Sequence, residues 1–338
     1  MACLPKVTIV MAIYQPNKKW LAQQLESLNQ QDYEGELELL AWNDSPACTE
    51  HQEILQLLQQ HITSFPYRLL SDGRNHGATR AFEKLTEAAD GKYIAYCDQD
   101  DVWLPGKVRK AVRVMEDDKN ILICHIGISL IDEQGSIFSH LAYPAEISVV
   151  NDSAYQQHRF LLKNFAFGCA MLVRTAFAKS VLPFPGNGVY HDQWLACCAA
   201  YSGRVSFIEE KLLLHRLHRD NNSSLLHGIS SRKEYCSRKL ARDTALAGSL
   251  LAWYKLKEHG SSASPAALEI LLPIVRWTEA RNMYNQMPGF TTLFNLLHNV
   301  RIRPDITLFE ILLPLLPEAI FKKCLALIQF RVAGILRS

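Results

Sequence analysis

The chain has 338 residues, 48% of them hydrophobic, enough for one large α/β domain with a smaller appendage and too apolar for a globally disordered chain. Its 36 lysines and arginines stand against 34 acids, a formal charge of +2, which excludes a broad basic field for gripping nucleic acid. Anion binding is therefore expected only at local sites.

In chain order, the start MACLPKVTIVMAIY has one lysine before a short apolar run and no small-residue cleavage site, so it reads as a buried strand rather than a signal peptide. The run from Val7 to Tyr14 is apolar throughout, as for a strand covered on both faces. Trp20, Leu21, Leu25 and Leu28 then recur at helical spacing up to a turn at Asp32 to Gly35. A strand from Leu37 to Trp42 runs into the loop Asn43-Asp44-Ser45-Pro46. The alternation continues with a helix over Glu50 to His61, a strand over Tyr67 to Leu70, a helix from Ala78 to Ala89 and a strand over Tyr93 to Cys97. Strands separated by helices imply βαβ units and a mostly parallel sheet, whose ligands bind at the carboxyl ends of the strands. Two of those ends carry acids here: Asp44, and the group Asp98, Asp100 and Asp101.

Beyond Pro105 the pattern predicts a helix from Gly106 to Asp117 and a central strand in ILICHIGISLID ending at Asp132. From Asp152 to Asn222 it is mixed, with a helix over Asp192 to Tyr201 and a strand over Val205 to Leu214. Strand signals cease near Ser230, which divides the chain into a catalytic domain at 1–229 and a helical region at 230–338. No stretch reaches the roughly 20 apolar residues that a membrane-spanning helix needs. Cysteines at 3, 48, 97, 124, 169, 197, 198, 236 and 324 form no Cys-x-x-Cys pair, a pattern of reduced thiols in a cytoplasmic setting.

The densest chemistry lies in Cys97-Asp98-Gln99-Asp100-Asp101-Val102-Trp103-Leu104-Pro105. Carboxylates this close repel one another unless a cation or a donor network offsets them, and Mg²⁺ or Mn²⁺ takes carboxylate and phosphate oxygens together. The residues alone also allow a plainer arrangement, in which Asp101 caps the following turn and the others are solvated.

The segments VTIVMAIY, Asn43-Asp44, Asn75-His76-Gly77, CDQDDVWLPGK, Phe167-Gly168-Cys169, HDQWL and HRLHRDNN occur in an order that resembles the GT-A-fold glycosyltransferases of family 2, particularly bacterial rhamnosyltransferase-like enzymes of polysaccharide synthesis. The resemblance spans roughly residues 5 to 225 and implies a Rossmann-like, mostly parallel sheet flanked by helices, with a C-terminal helical appendage. It makes Asp98 and Asp100 the Asp-x-Asp motif, with Asp100 the direct ligand of Mg²⁺ or Mn²⁺ and Asp98 nearer the ribose or a metal water. Tyr14 matches the aromatic that packs on the base, and Asp44 the acid that accepts from the pyrimidine. Where the family usually has Asp-Asp-Gly-Ser this chain has Asn43-Asp44-Ser45-Pro46, which also reads as a simple turn and leaves uridine or thymidine open.

Asn75 and Gly77 match a loop beside the nucleotide, with Arg74 and Arg80 as phosphate-facing or merely solvated charges. Asp192 falls where the family places its catalytic base, although an acid before QWLACCAAY also suits a helix N-cap. Arg216 and His218 match the Tyr-Arg-x-His-x-x-Asn segment, with His215 in the tyrosine position; Arg216 would hold phosphate and His218 would complete the metal shell or bind diphosphate. Phe167-Gly168-Cys169 would form a wall near the sugar and acceptor.

The implied reaction is inverting transfer of a sugar, first of all rhamnose, from a nucleotide diphosphate donor to a hydroxyl of a saccharide or lipid-linked saccharide. Ile306 to Leu336, leucine-rich with Lys322, Lys323, Arg331 and Arg337, suits peripheral contact with the cytoplasmic face of the inner membrane; packing on the catalytic domain or a second subunit suits it equally. A nucleotidyltransferase would need a glycine-rich phosphate loop that AIYQPNKKW lacks. A non-catalytic nucleotide- or saccharide-binding scaffold would be expected to have lost Asp100 or Asp192, and both are present.

Overall fold

The computed structural model describes residues 4–46, 48–140, 153–165, 167–218, 229–258 and 265–325. The chain divides into two compact units, one made of Met1–Gln156, Asn164–Phe184 and Tyr190–Arg219, the other of Gln157–Lys163, Pro185–Val189 and Asp220–Ser338.

The first unit is built on a nine-stranded sheet. Strand β1 (Val7–Ile13) is followed by helix α1 (Lys18–Asn29), β2 (Leu37–Asn43), α2 (Cys48–His61), β3 (Tyr67–Leu70), α3 (Ala78–Ala88) and β4 (Tyr93–Cys97). The order β3-β2-β1-β4 is parallel throughout. Every residue of β2 and β4 is buried, which explains why β4 is a continuous apolar run and why the buried Glu38 of β2 needs the Thr8 hydroxyl, which donates to it at 2.7 Å. Helix α1 begins at Asn17, whose side chain accepts from the Lys19 and Trp20 N–H groups, and it buries Leu21, Leu25 and Leu28 as the spacing predicts. Trp20 does not join that core; it lines the site described below.

The remaining strands make the sheet mixed. After β5 (Val102–Trp103) and α4 (Lys107–Asp117), the long strand β6 (Ile121–Ile131) is followed by β7 (Ile137–His140), α5 (Ser153–Leu162), β8 (Met171–Arg174), α6 (Thr175–Ser180), α7 (His191–Ala200) and β9 (Arg204–Arg216). Strand β8 inserts between β4 and β6 and pairs antiparallel with both. Strand β9 runs parallel to β6 on one side and antiparallel to β5 on the other. The expected α/β architecture is thus present, with a parallel block extended by antiparallel strands absent from the sequence reading.

The second unit is helical, with α8 (Ala241–Glu258), α9 (Pro265–Gln286), α10 (Phe290–His298) and α11 (Pro304–Leu312) among its described residues. Its interior holds both an apolar cluster around Trp277, Tyr284 and Leu296 and a buried ion pair. The Arg281 guanidinium reaches both oxygens of Glu310 at 2.6 and 2.7 Å, and the Tyr235 hydroxyl donates to the same carboxylate at 2.7 Å. Of the leucine-rich stretch Ile306 to Leu336, residues beyond Leu325 lie outside the described residues, including Arg331 and Arg337. Among the described residues no helix is long and apolar enough to cross a membrane.

Candidate active site

Strand β4 ends at Cys97, so the backbone delivers Asp98, Gln99, Asp100 and Asp101 to the carboxyl edge of the parallel block. The four side chains do different things. The Gln99 amide grips the backbone at the end of β1, accepting from the Tyr14 N–H at 2.9 Å and donating to its carbonyl at 3.1 Å. Tyr14 itself stays 42% exposed.

Asp101 turns inward and is fully buried. Its Oδ1 lies 2.8 Å from His215 Nδ1 and accepts from the Arg216 N–H at 3.1 Å. Burial opposes charge on both partners, but their attraction prevails: Asp101 is held below the ordinary carboxylate range and His215 is raised to about 9. Asp101 is therefore an internal anchor for the end of β9, neither a turn cap nor a solvated acid.

Asp100 points the other way, its Oδ2 2.6 Å from His218 Nε2. The His218 ring lies 4.8 Å from the Trp20 ring, which is held by its indole N–H donating to the Glu133 carbonyl at 3.2 Å. The structure thus brings together the expected metal pair Asp100 and His218. The continuation Arg219-Asp220-Asn221-Asn222 lies outside the described residues.

Arg216 departs from the expectation that it holds phosphate. It is 1% exposed, and its guanidinium donates to the carbonyls of Asp100 at 2.9 Å, Asp132 at 3.0 Å and Glu133 at 3.3 Å, and to Gln23 Oε1 at 2.8 Å. A fork engaged by protein oxygens on several sides stitches the Asp100 loop to the β6–β7 turn; it is a positioning residue.

Asp98 is half-buried beside three other carboxylates. Burial first, then the charges of Asp101, Asp100 and Asp192, push its carboxyl up to about 8, with only His215 opposing. Asp192 sits in the first turn of α7, a helix in which every other residue is buried. The N-cap is Tyr190, so the capping alternative for Asp192 is set aside. Its Oδ2 accepts from the Gly168 N–H at 3.2 Å and its Oδ1 from the Gln193 N–H at 2.6 Å. Gly168 is required there, since a Cβ would come within 2.8 Å of His191 Nε2. The Phe167-Gly168-Cys169 segment is thus the backing of Asp192.

Lys107, the last residue of CDQDDVWLPGK, is 2% exposed. Its ammonium donates to the Cys169 carbonyl at 2.8 Å and stands 3.1 Å from the centre of the Trp103 ring. Burial lowers it to about 7, against the pull of Asp101 and Asp98. Sequence reasoning quoted this lysine only as part of the motif; its spacing of four from Trp103 along a turn entering a helix was the available signal.

At the neighbouring strand end Asp44 is 2% exposed. It accepts from the His76 N–H at 2.9 Å, the Gly77 N–H at 2.8 Å and the Trp42 indole at 3.2 Å, so its carboxylate shapes the Asn75-His76-Gly77 loop. Asn75 Oδ1 also accepts from the Gly77 N–H, at 3.0 Å. Gly77 has φ 77° with nothing within 4 Å of a notional Cβ, so the loop needs glycine for its backbone angle. Arg80 pairs with Glu83 on α3.

The donor set suits a hard divalent cation. Asp98, Asp101, Cys169 and His215 carry possible ligand atoms within 4.8 Å of one another. Cys169 is pushed well above its ordinary value by burial and His215 is charged, so neither suits Mg²⁺ or Mn²⁺. Asp98 in that group is an oxygen donor for such an ion, and Asp100 with the imidazole of His218, 2.6 Å apart, offers oxygen and nitrogen donors outside it. The excess of negative charge recorded by Asp98, and the buried Asp101 Oδ2 without a hydrogen-bond partner among the described residues, are what a cation would offset.

Known proteins share this architecture. The family described as Glycosyl transferase family 2 matches residues 8–182. An uncharacterized glycosyltransferase of Methanocaldococcus jannaschii is 27% identical over 68% of this chain and 77% of its own length. A UDP-Glc:alpha-D-GlcNAc-diphosphoundecaprenol beta-1,3-glucosyltransferase of Escherichia coli is 26% identical over 56% of this chain and 68% of its own. Among solved structures, S. aureus TarS 1–349 in complex with UDP-GlcNAc superposes with a TM-score of 0.55 at 14% identity, covering 89% of this chain and 91% of that one. Mannosyltransferase PcManGT from Pyrobaculum calidifontis, in complex with GDP-Man and Mn²⁺, superposes with a TM-score of 0.52 at 14% identity, covering 89% and 74%. The family match spans more than half of the chain, from β1 past the Asp98–Asp101 loop to the segment after α6, and this protein is a nucleotide-sugar glycosyltransferase of family 2 with the GT-A fold.

Proposed function

We propose that the chain is an inverting, metal-dependent transferase that moves a sugar from a nucleotide diphosphate to a hydroxyl of a growing saccharide, lipid-linked at the cytoplasmic face of the inner membrane, within cell-surface polysaccharide synthesis. The observation that carries this reading is the 2.6 Å approach of His218 to Asp100, with Asp98 in electrostatic reach of both Asp100 and Asp192. Acids and an imidazole from three separate chain segments converge there.

In this reading residues 1–229 do the chemistry. Asp98, Asp100 and His218 hold Mg²⁺ or Mn²⁺, which when bound offsets charge on the departing diphosphate. Tyr14 packs on the base, while Asp44 sets the loop on which Asn75 and Gly77 meet the nucleotide. Asp192 accepts the proton of the acceptor hydroxyl as that oxygen bonds to the anomeric carbon and the bond to the diphosphate breaks. Gly168 and Lys107 keep Asp192 in place from behind, and Arg216 keeps the Asp100 loop in place from below. Rhamnose on thymidine diphosphate is the first donor to test, because CDQDDVW resembles that branch; UDP-glucose, the donor named for the E. coli relative, is the second.

The test is a donor panel with and without Mn²⁺, scored by thermal shift and by release of nucleotide diphosphate. Asp192→Asn is expected to bind donor normally and lose transfer, and Asp100→Ala to lose metal-dependent donor binding. Normal transfer by Asp192→Asn would sink the base assignment.

A further inference from the structure

Helices α10 and α11 each bury one face and expose the other. Inward, Leu296 joins the Trp277 and Tyr284 cluster, with Leu293, Ile306 and Ile311 packed against it. Outward, Phe290, Phe294 and Leu297 follow one another at spacings of four and three along α10, and Phe290 is 86% exposed and Phe294 62%. Leu308, Leu312 and Leu315 repeat the same spacing along and just past α11, and Leu315 is 72% exposed. Single exposed apolar residues are ordinary, whereas two periodic apolar rows, one of them opening on two phenylalanines, are a surface that water covers poorly.

The acids on and beside α11 are engaged, Asp305 by Arg303, Glu310 by Arg281 and Glu318 by Arg232, so the surplus charge around these rows is positive. No Asp or Glu occurs between Glu279 and Asp305. Arg301, Lys322 and Lys323 are exposed and make no ion pair among the described residues. A symmetric pairing with a second copy would bring both sets of these cations into one interface. An anionic headgroup layer satisfies them while the rings and leucines enter its apolar boundary.

We propose that the outward faces of α10 and α11 form a docking surface for an anionic lipid bilayer, on which the enzyme lies without spanning it. Its purpose rests on the reading of a lipid-linked acceptor given above; its evidence and its test are separate. The surface holds this helical unit against the leaflet through Phe290 and Phe294, with Arg301, Lys322 and Lys323 supplying the preference for negative charge.

The full chain is sedimented with vesicles of phosphatidylcholine alone and of phosphatidylcholine mixed with phosphatidylglycerol. Binding is expected only with phosphatidylglycerol present, weakening as salt is raised. The exposed-site variant Phe290→Asp/Phe294→Asp should bind at least tenfold more weakly, with the melting temperature and nucleotide diphosphate release unchanged. Arg301→Glu/Lys322→Glu/Lys323→Glu should lose the preference for phosphatidylglycerol. Wild-type chain that stays in the supernatant, or a Phe290→Asp/Phe294→Asp variant that sediments like wild type, overturns the proposal. So does a wild-type dimer that this variant converts to monomer, since the face would then pair copies. Vesicle binding without nucleotide diphosphate release from any donor would instead refute the transferase reading and leave the docking surface standing.

Discussion

Replacing Asp101 by asparagine removes one negative charge from a fully buried position while keeping the shape of the side chain. The charge is opposed by burial and sustained by His215 at 2.8 Å and the Arg216 N–H at 3.1 Å. His215 moves from 6.5 to about 9 in this environment. At about 1.4 kcal/mol for each tenfold change in proton affinity, that rise corresponds to about 3 kcal/mol of folding stability. Because the folded state binds the His215 proton more tightly, the contribution is complete below about pH 6.5 and is lost as the pH rises through about 9. Asp101 is depressed, so its share is present above the ordinary carboxylate range and lost below it. The pair is therefore at full strength from about pH 5 to about 6.5.

Urea unfolding of wild type and Asp101→Asn in the presence of a chelator, at about pH 6 and about pH 10, measures this directly. The expected loss is about 3 kcal/mol at the lower pH and a small residue at the higher, where a neutral His215 has no charge to compensate. A loss below about 1 kcal/mol at pH 6, or an equal loss at both, would refute the account of Asp101 as a charged anchor. The same variant should weaken Mn²⁺ binding, because the end of β9 that presents His218 is tied down through Asp101.

Three further outcomes follow from the contacts. Lys107→Met leaves the Cys169 carbonyl without its donor, and is expected to cost about 1–3 kcal/mol of stability and to lower kcat at least tenfold with little change in donor KM, read by steady-state transfer kinetics. Gly168→Ala places a Cβ within 2.8 Å of His191 Nε2, so the start of α7 must shift; about 1–3 kcal/mol of stability and most of the turnover should be lost, measured by thermal melting and the same transfer assay. Glu310→Gln leaves the buried Arg281 guanidinium with Asp243 at 3.3 Å as its remaining counter-charge and should destabilise the helical unit by about 3 kcal/mol, read by calorimetric melting.

The parallel block was legible because its central strands β1 and β4 are buried and written almost wholly in apolar residues, with helices of clear period between the strands. Strand β8 was not. Four residues, Met171–Arg174, carry no period of their own, and their place between β4 and β6 is decided by pairings with residues far away in the chain. The same distance separates what was readable at the site from what was not. Asp98, Asp100, Asp192 and His218 were singled out by the resemblance to family 2, which carries residue types in chain order and says nothing of their partners. Asp101 looked like its neighbours because the residue that buries it, His215, lies 114 positions away. Arg216 was assigned to phosphate because a basic residue beyond a strand reads the same whether its partners are phosphate oxygens or backbone carbonyls; only the fold supplies the carbonyls of Asp100, Asp132 and Glu133.

The geometry of the acid cluster follows from one short strand. Strand β5 comes directly after Asp101 and pairs antiparallel with β9, Val102 against Leu214 and Trp103 against Leu213. Continuing that register back toward the acids sets Asp101 opposite His215 and Asp100 opposite Arg216, and these are the pairs that hydrogen-bond. Asp101 meets His215 in the interior, while Asp100, in the turn just before it, turns to His218. A slip of one residue between β5 and β9 would set Leu214 or Arg216 opposite Asp101 in place of His215. Consecutive aspartates can therefore do opposite work, one fixing the sheet through His215 and one meeting His218, because the register of this pairing sets His215 against Asp101.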